Sequence, residues 1–250
     1  MNSLVAIIAA GAVVGGFVQG LSGFAFSLVA MSIWAWTVEP KLAAALAVFG
    51  ALTGQVISAV SVRRGFRPAI LLPYVLGGLA GIPIGIAILP RLDVETFKAM
   101  LGALLIVFCP VMLLAPGLPP ITWGGRVADA LAGLLGGICG GIGGISGPIP
   151  TLWCNLRPMD KETQRSVIQN FNLSTLAFTM AAYLANGLVT REMLPMFAIV
   201  APAMLIPTLL GGRLYVGLSE TAFRRIVLVL LSISGVALLV SSLPRLLGRL

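Results

Sequence analysis

The chain has no histidine. That absence excludes a Ser-His catalytic pair, an imidazole proton relay and haem ligation by His. Charge is nearly as scarce, at 10% of 250 residues against 58% hydrophobic ones. A water-facing surface needs roughly 25 to 35% charged residues, so a soluble enzyme, a secreted disulfide scaffold, a disordered chain and a nucleic-acid module are all excluded. The mean hydropathy of +1.05 says that the main solvent is lipid. Cysteine is sparse too. Cys109, Cys139 and Cys154 lie in or beside apolar stretches without the paired short spacing of a zinc or redox site, and read as small buried hydrophobes. The eight carboxylates lie near segment ends, so none offers itself as a mid-membrane proton carrier. No cofactor and no metal are expected.

The 16 Lys and Arg that make the net charge +8 are scattered singly or in pairs between apolar runs. In that arrangement they set topology rather than form a phosphate-binding patch. Met1 to Ala10 lacks the positive region of a secretory signal and has no small-residue cleavage site, so it reads as the first membrane segment, with no soluble domain after it.

Apolar runs bounded by charge, Pro or Gly number ten, five in each half. The first five are Ser3 to Gln19, Phe24 to Val38, Leu42 to Val62, Pro68 to Leu89 and Ala99 to Ala115. The second five are Val127 to Cys139, Ile145 to Leu156, Ser166 to Ala185, Leu194 to Leu210 and Ile226 to Leu243. A crossing of the hydrocarbon core takes about 20 residues at 1.5 Å each. The third and fourth segments of each half meet that length and the fifth nearly does. The first two of the second half, at about 12 or 13 residues, reach only about 20 Å, which predicts a re-entrant hairpin or short helices meeting near the midplane.

The halves also look like copies. Gly15 to Gly23 lies over Gly136 to Gly144 at a constant offset, with glycine matched at four positions. Glu39-Pro40-Lys41 parallels Pro158 to Lys161, Pro83 parallels Pro207, and Phe97 parallels Phe223. Ordered matches of this kind indicate duplication. If each half holds an odd number of crossings, corresponding loops fall on opposite sides. One side then receives Arg63, Arg64, Arg67, Arg126, Arg157, Lys161, Arg165, Arg213, Arg224 and Arg225; the other receives Lys41, Arg91, Lys98, Arg191, Arg245 and Arg249. The richer side is cytoplasmic by the positive-inside bias, which puts both termini outside; Arg245 and Arg249 run against that bias. The expected fold is an all-α polytopic membrane protein of two inverted repeats, residues 1–118 and 119–250, each a short hairpin or re-entrant pair followed by three spanning helices.

The glycine stretches Gly20 to Gly23 and Gly140 to Pro148 carry the functional signal. Glycine lets backbone turn tightly and approach a ligand, and a helix that starts inside the membrane offers unpaired N–H groups to an anion. Ser22, Ser27 and Ser146 add hydroxyl donors. Packing of small residues between helices is the competing explanation for the same glycines. Polar residues inside spanning segments add a second signal: Thr53, Gln55, Gln169, Asn170 and Asn172 must meet a partner or a wet cavity. Gln169 and Asn172, three apart, share a helix face that suits donation to an oxyanion; Asn170 points elsewhere and reads as structural. Arg126 and Asp129 read as a local ion pair, and Pro73, Pro83, Pro195, Pro202 and Pro207 as kinks of the fourth segments. Gly20-Leu21-Ser22-Gly23 and Gly144-Ile145-Ser146-Gly147 spell the Gly-x-Ser-Gly string of rhomboid proteases. Without a His base that string has no catalytic use, and the protein is not expected to be an enzyme.

With paired glycine turns, Gly15 to Gly23 and Gly136 to Pro148, then Pro150 and the polar stretch Lys161 to Asn172, the chain resembles the sulfite exporter TauE/SafE family over nearly its whole length. The first half departs from the richer glycine run of the second, having Phe24 to Ser27 where the second has Ile145 to Pro148. The resemblance implies a multi-pass transporter of the bacterial inner membrane for small, often sulfur-containing anions such as sulfite and organosulfonates. Gln19, Ser22, Gly23, Gly143, Gly144, Ser146, Gln169 and Asn172 are the candidate substrate-binding residues, with backbone N–H groups near the two turns as principal donors. The expected partners are a small anionic substrate and the lipid bilayer; a homodimer is compatible with this composition. The competing readings are a channel-like anion pore and a membrane protein without transport.

Overall fold

The computed structural model describes residues 2–23, 25–61, 65–214 and 220–248. Phe24, Arg63, Arg64 and Arg249 lie outside the described residues, as do the side chains of Arg213, Phe223 and Arg224. The fold is all-α. Among the described residues its ten α-helices are α1 (Asn2–Ser22), α2 (Phe26–Trp34), α3 (Pro40–Ser61), α4 (Pro68–Ile88), α5 (Val94–Leu114), α6 (Gly125–Gly143), α7 (Pro148–Leu156), α8 (Lys161–Ala185), α9 (Leu194–Leu214) and α10 (Glu220–Leu247). Proline opens α3, α4 and α7, where its missing N–H costs nothing. Asp93 and Asp160 cap α5 and α8 by accepting from Thr96 N at 2.8 Å and Thr163 N at 2.9 Å.

Among the described residues, seven helices are long and apolar enough to cross a membrane: α1, α3, α4, α5, α6, α9 and α10. Large apolar side chains such as Val107, Ile206, Ile233 and Val240 are exposed along them, as a lipid-facing wall requires. At 25 residues α8 has the length but not the apolarity; it buries one polar face, with Gln169, Asn172, Thr175 and Thr179 turned inward.

Helix α6 corrects the sequence reading of two equal short arms. It runs 19 residues, straight through Gly136, Gly137, Gly140 and Gly141, and only α7 is short, at nine. Likewise α1 continues through Gly15, Gly16 and Gly20, and the chain breaks only at Gly23, φ +81°, and Gly144, φ +67°. Left-handed backbone suits glycine at these two positions. The other glycines are packing surfaces. A Cβ on Gly16 would meet Met204 O at 2.7 Å, on Gly20 it would collide with Thr208 O, and on Gly211 with Phe17 O, all in the parallel pair α1 and α9. The parallel pair α4 and α6 repeats the pattern, with Gly137 against Gly78 O, Gly141 against Ile82 O at 2.5 Å, and Gly85 against Ile138 O. These are the same three contacts, since α6 numbers lie 121 above α1 and α9 numbers 126 above α4. Helices α5 and α10 pack on each other in opposite directions, Gly102 against Gly235 O and Gly235 against Gly102 O.

Helix α2 folds back along α1. Phe26 and Ala30 sit on Gly15, and Trp34 sits on Gly11, its Nε1 donating to Ile7 O and Ile8 O at 3.2 Å each. Helix α7 folds back along α6 in the same manner, with Ser146 O and Pro150 against Gly136. Helix α3 occupies the centre, and its run Ala43 to Val48 is fully buried. The α1 turn meets α3 at Gln55, six residues short of its end at Ser61, about 9 Å. The α6 turn meets it at Val48, eight residues from its start at Pro40, about 12 Å. Both reversals therefore lie inside the helical bundle rather than at its ends.

Candidate functional site

The two turns converge on the crossing of α3 and α8, which run antiparallel. On α8 they arrive three residues apart, about 4.5 Å along the axis. Gln169 Nε2 lies 3.8 Å from the position a Cβ on Gly23 would take, and Asn172 Oδ1 accepts from Ser146 Oγ at 3.0 Å. On α3, Gln55 Nε2 donates to Gly23 O at 2.7 Å, and a Cβ on Gly144 would stand 3.0 Å from Val48. The pairs Gly23 with Gln169 and Gly144 with Val48 are again related by 121 residues, 23 against 144 and 48 against 169. Each turn thus leans on the long central helix of the opposite half.

Of the eight candidate residues, Gln19, Gly143, Gly144, Ser146, Gln169 and Asn172 are buried. Gln19 holds the first turn together: its Oε1 accepts from Phe26 N at 3.0 Å, and its Nε2 donates to Gly23 O at 3.3 Å. Ser22 is exposed and caps its own turn, donating to Val18 O at 2.8 Å and accepting from Ala25 N at 3.3 Å. Gly143 packs on Met31. The expectation that glycine N–H groups face the ligand is corrected at two positions: Gly23 N donates to Gln19 O and Gly144 N to Gly140 O, each at 2.7 Å. Nor does α7 present a full N-terminal donor set. Its first four positions include Pro148 and Pro150, which have no N–H, and Thr151 N returns to Gly147 O at 2.9 Å. Ser27, a further candidate hydroxyl, ties α2 to α3 by donating to Ala47 O at 3.2 Å.

A side-chain amide is left over. Asn172 is 1% exposed, and among the described residues its Nδ2 has no hydrogen-bond partner. A buried unpaired donor costs about 1 to 3 kcal/mol, which makes this amide the uncommitted donor at the junction of the two backbone reversals. Asn170 is structural as expected, donating to Gly65 O at 3.0 Å and Ser166 O at 2.8 Å. Sequence reasoning did not select Gln55, Thr151, Thr179 or Tyr183 as site residues. Thr179 and Tyr183 follow Asn172 by seven and eleven positions, and that helical spacing was the available signal. Tyr183 fixes the wall there by donating to Gly141 O at 2.7 Å.

Arg126 and Asp129 do not form the expected pair. Asp129 accepts from Trp153 Nε1 at 2.7 Å and Tyr74 Oη at 3.1 Å, and lies 3.8 Å from Arg157 Nε. Residues three apart on a helix were the sequence-level partners; the fold brings Arg157 in from beyond α7 instead. Arg126 is exposed. Asp129, in α6, and Glu95, in the first turn of α5 and 2.6 Å from Arg245 and 3.5 Å from Lys98, are buried carboxylates and both are paired. The three cysteines are free.

Seven apolar spanning helices around a buried polar junction define a multi-pass membrane protein. The sulfite exporter TauE/SafE family matches residues 7–238, and the chain belongs to that family of membrane transporters. No curated protein and no solved structure matches the chain.

Proposed function

We propose that the protein carries a small sulfur oxyanion, sulfite or an organosulfonate, across a bacterial inner membrane by alternating access of two inverted repeats, residues 1–118 and 119–250. The observation that carries this reading is the unpaired Nδ2 of Asn172 where the two turns meet. An anion without a counter-charge in the protein needs neutral donors, and amides and hydroxyls supply them without holding the ion too tightly to leave. Gln169 and Ser146 stand beside Asn172, while Gln19 and Gln55 shape the first turn.

The site is polar on one side only. At the positions 121 residues before Gln169 and Asn172 stand Val48 and Ala51, so the second half supplies donors and the first supplies shape. Support for inverted repeats comes from the matched glycine contacts and from the antiparallel course of α3 and α8, which hold corresponding places in the two halves. Because α1 packs on α9 and α4 on α6, each half's hairpin rides on the other half's fourth helix, and rocking one such pair moves its own turn relative to the centre. Gly23 O already accepts from Gln19 and Gln55, which leaves little of that carbonyl for a coupling cation.

Purified protein in proteoliposomes tests this. Saturable sulfite or sulfonate uptake, with mutual competition, is the expected result. Linear, non-saturating flux would instead mean a pore, and absence of flux in folded, oriented protein would remove transport of these anions altogether.

A further inference from the structure

Two more buried hydroxyls share the condition of Asn172. Thr151 Oγ1 and Thr179 Oγ1, on residues 3% and 0% exposed, have no hydrogen-bond partner among the described residues. For Thr179 this is a departure from what its helix offers. Thr175, one turn earlier, takes the ordinary back-bond to Phe171 O at 2.8 Å. A threonine buried in a helix reaches the carbonyl four residues back at no cost in burial, so a hydroxyl turned away from it in an apolar interior serves a partner outside its own backbone.

The three orphan groups are ordered along the bundle. Helix α7 leaves the second turn beside Asn172 and runs away from it, and α8 climbs back antiparallel after a short link. Thr151, in the first turn of α7, therefore lies to one side of Asn172. Thr179 lies to the other, seven residues further on the same face of α8, about 10.5 Å. Three and seven residues beyond it, Ala182 and Asn186 stand at the edge of an open, mostly apolar groove of about 730 Å³ between α4 and α8, whose α8 wall is otherwise the exposed Phe178, Ala181 and Ala185.

We propose that the anion's route follows this inward stripe of α8, with the Thr151 and Thr179 hydroxyls as anion contacts on either side of Asn172 and the α4–α8 groove as the vestibule beyond Thr179. The inference rests on the transport reading above and adds two contacts to it. Each hydroxyl donates one hydrogen bond to a passing oxyanion oxygen. Neither holds it long, because a single neutral donor is a weak site beside the Asn172 junction.

The test is Thr179→Val and Thr151→Val, which keep shape and remove the hydroxyl, with Thr→Ser at each position to restore it. Sulfite and isethionate binding is followed by thermal shift in detergent, and flux is followed in proteoliposomes. Each Val variant is expected to keep the wild-type dissociation constant within about twofold and to lose about tenfold in maximal flux, with KM little changed; each Ser variant recovers most of the flux. A Val variant that folds, binds and transports like wild type overturns that hydroxyl's role. A Val variant that loses equilibrium affinity by tenfold or more places its hydroxyl in the central site and overturns the flanking assignment. Wild-type protein that neither binds nor moves either anion sinks the transport reading, and this inference with it.

Discussion

Replacing Asn172 by Leu removes an unpaired buried donor while keeping the branching and number of side-chain heavy atoms, and it is expected to weaken anion binding with little change in stability. A hydrogen bond from Nδ2 to a charged oxygen contributes about 1.5 to 3 kcal/mol. Its loss therefore weakens anion binding roughly 10- to 150-fold. In the empty protein the same change relieves the orphan amide, worth about 1 to 3 kcal/mol, but strips Ser146 Oγ of its acceptor at 3.0 Å, a cost of similar size. Asn172→Leu alone is thus near neutral in stability. Adding Ser146→Ala removes the stranded hydroxyl and leaves the gain exposed. At about 2 to 4 °C per kcal/mol for a chain of this size, the double variant should melt several degrees above wild type. Thermal unfolding in detergent, titrated with sulfite and isethionate, reads both quantities at once. Affinity within twofold of wild type in a folded Asn172→Leu protein would refute the reasoning, as would a double variant that melts well below wild type.

Three further outcomes follow from the geometry. Gly20→Ala and Gly141→Ala meet equivalent carbonyls, Thr208 O and Ile82 O, so each should destabilise by about 1 to 3 kcal/mol despite the better helix propensity of Ala, whereas Gly117→Ala, with open space around it, should not; equal melting temperatures for all three would contradict the packing role. Asp129→Ala strands Arg157 and unpairs Trp153 and Tyr74, and should cost about 3 to 5 kcal/mol, read by unfolding or by loss of folded yield. The Thr163 hydroxyl, then its backbone N–H, hold the Asp160 carboxyl below the ordinary carboxylate range. A depressed folded pKa means that the cap's contribution is complete above the unfolded pKa, near pH 4, and fades as pH falls through the lower folded value. Asp160→Ala should flatten the acid limb of a stability-against-pH curve, and an unchanged limb would assign that limb to other carboxylates.

How much of this was legible beforehand differs from residue to residue. Breaks were readable within Gly20 to Gly23 and Gly140 to Pro148, because glycine lets the backbone turn tightly, and the fold placed them at Gly23 and Gly144. The helices on either side were not, because a glycine inside a buried helix has the same local sequence as one in a turn; only the carbonyl of a neighbouring helix, as at Gly20 and Gly141, tells them apart. Gln169 and Asn172 were legible as buried amides on one face. That Asn172 keeps a free Nδ2 while Asn170, two residues away, spends its own on Gly65 and Ser166 depends on which loops arrive there. Asp129 shows the same limit: helical spacing nominated Arg126, and chain reversal supplied Arg157.

Composition alone settled the solvent, since so little charge cannot clothe a soluble surface, and with histidine missing it settled which chemistries are out of reach. The duplicated glycine spacing gave the expectation of two similar halves. Which groups end up paired, which pack and which stay open to a ligand was decided by the fold, because those properties belong to contacts between residues more than a hundred positions apart. A hydrogen bond is local in space, and only the packed chain determines what is near.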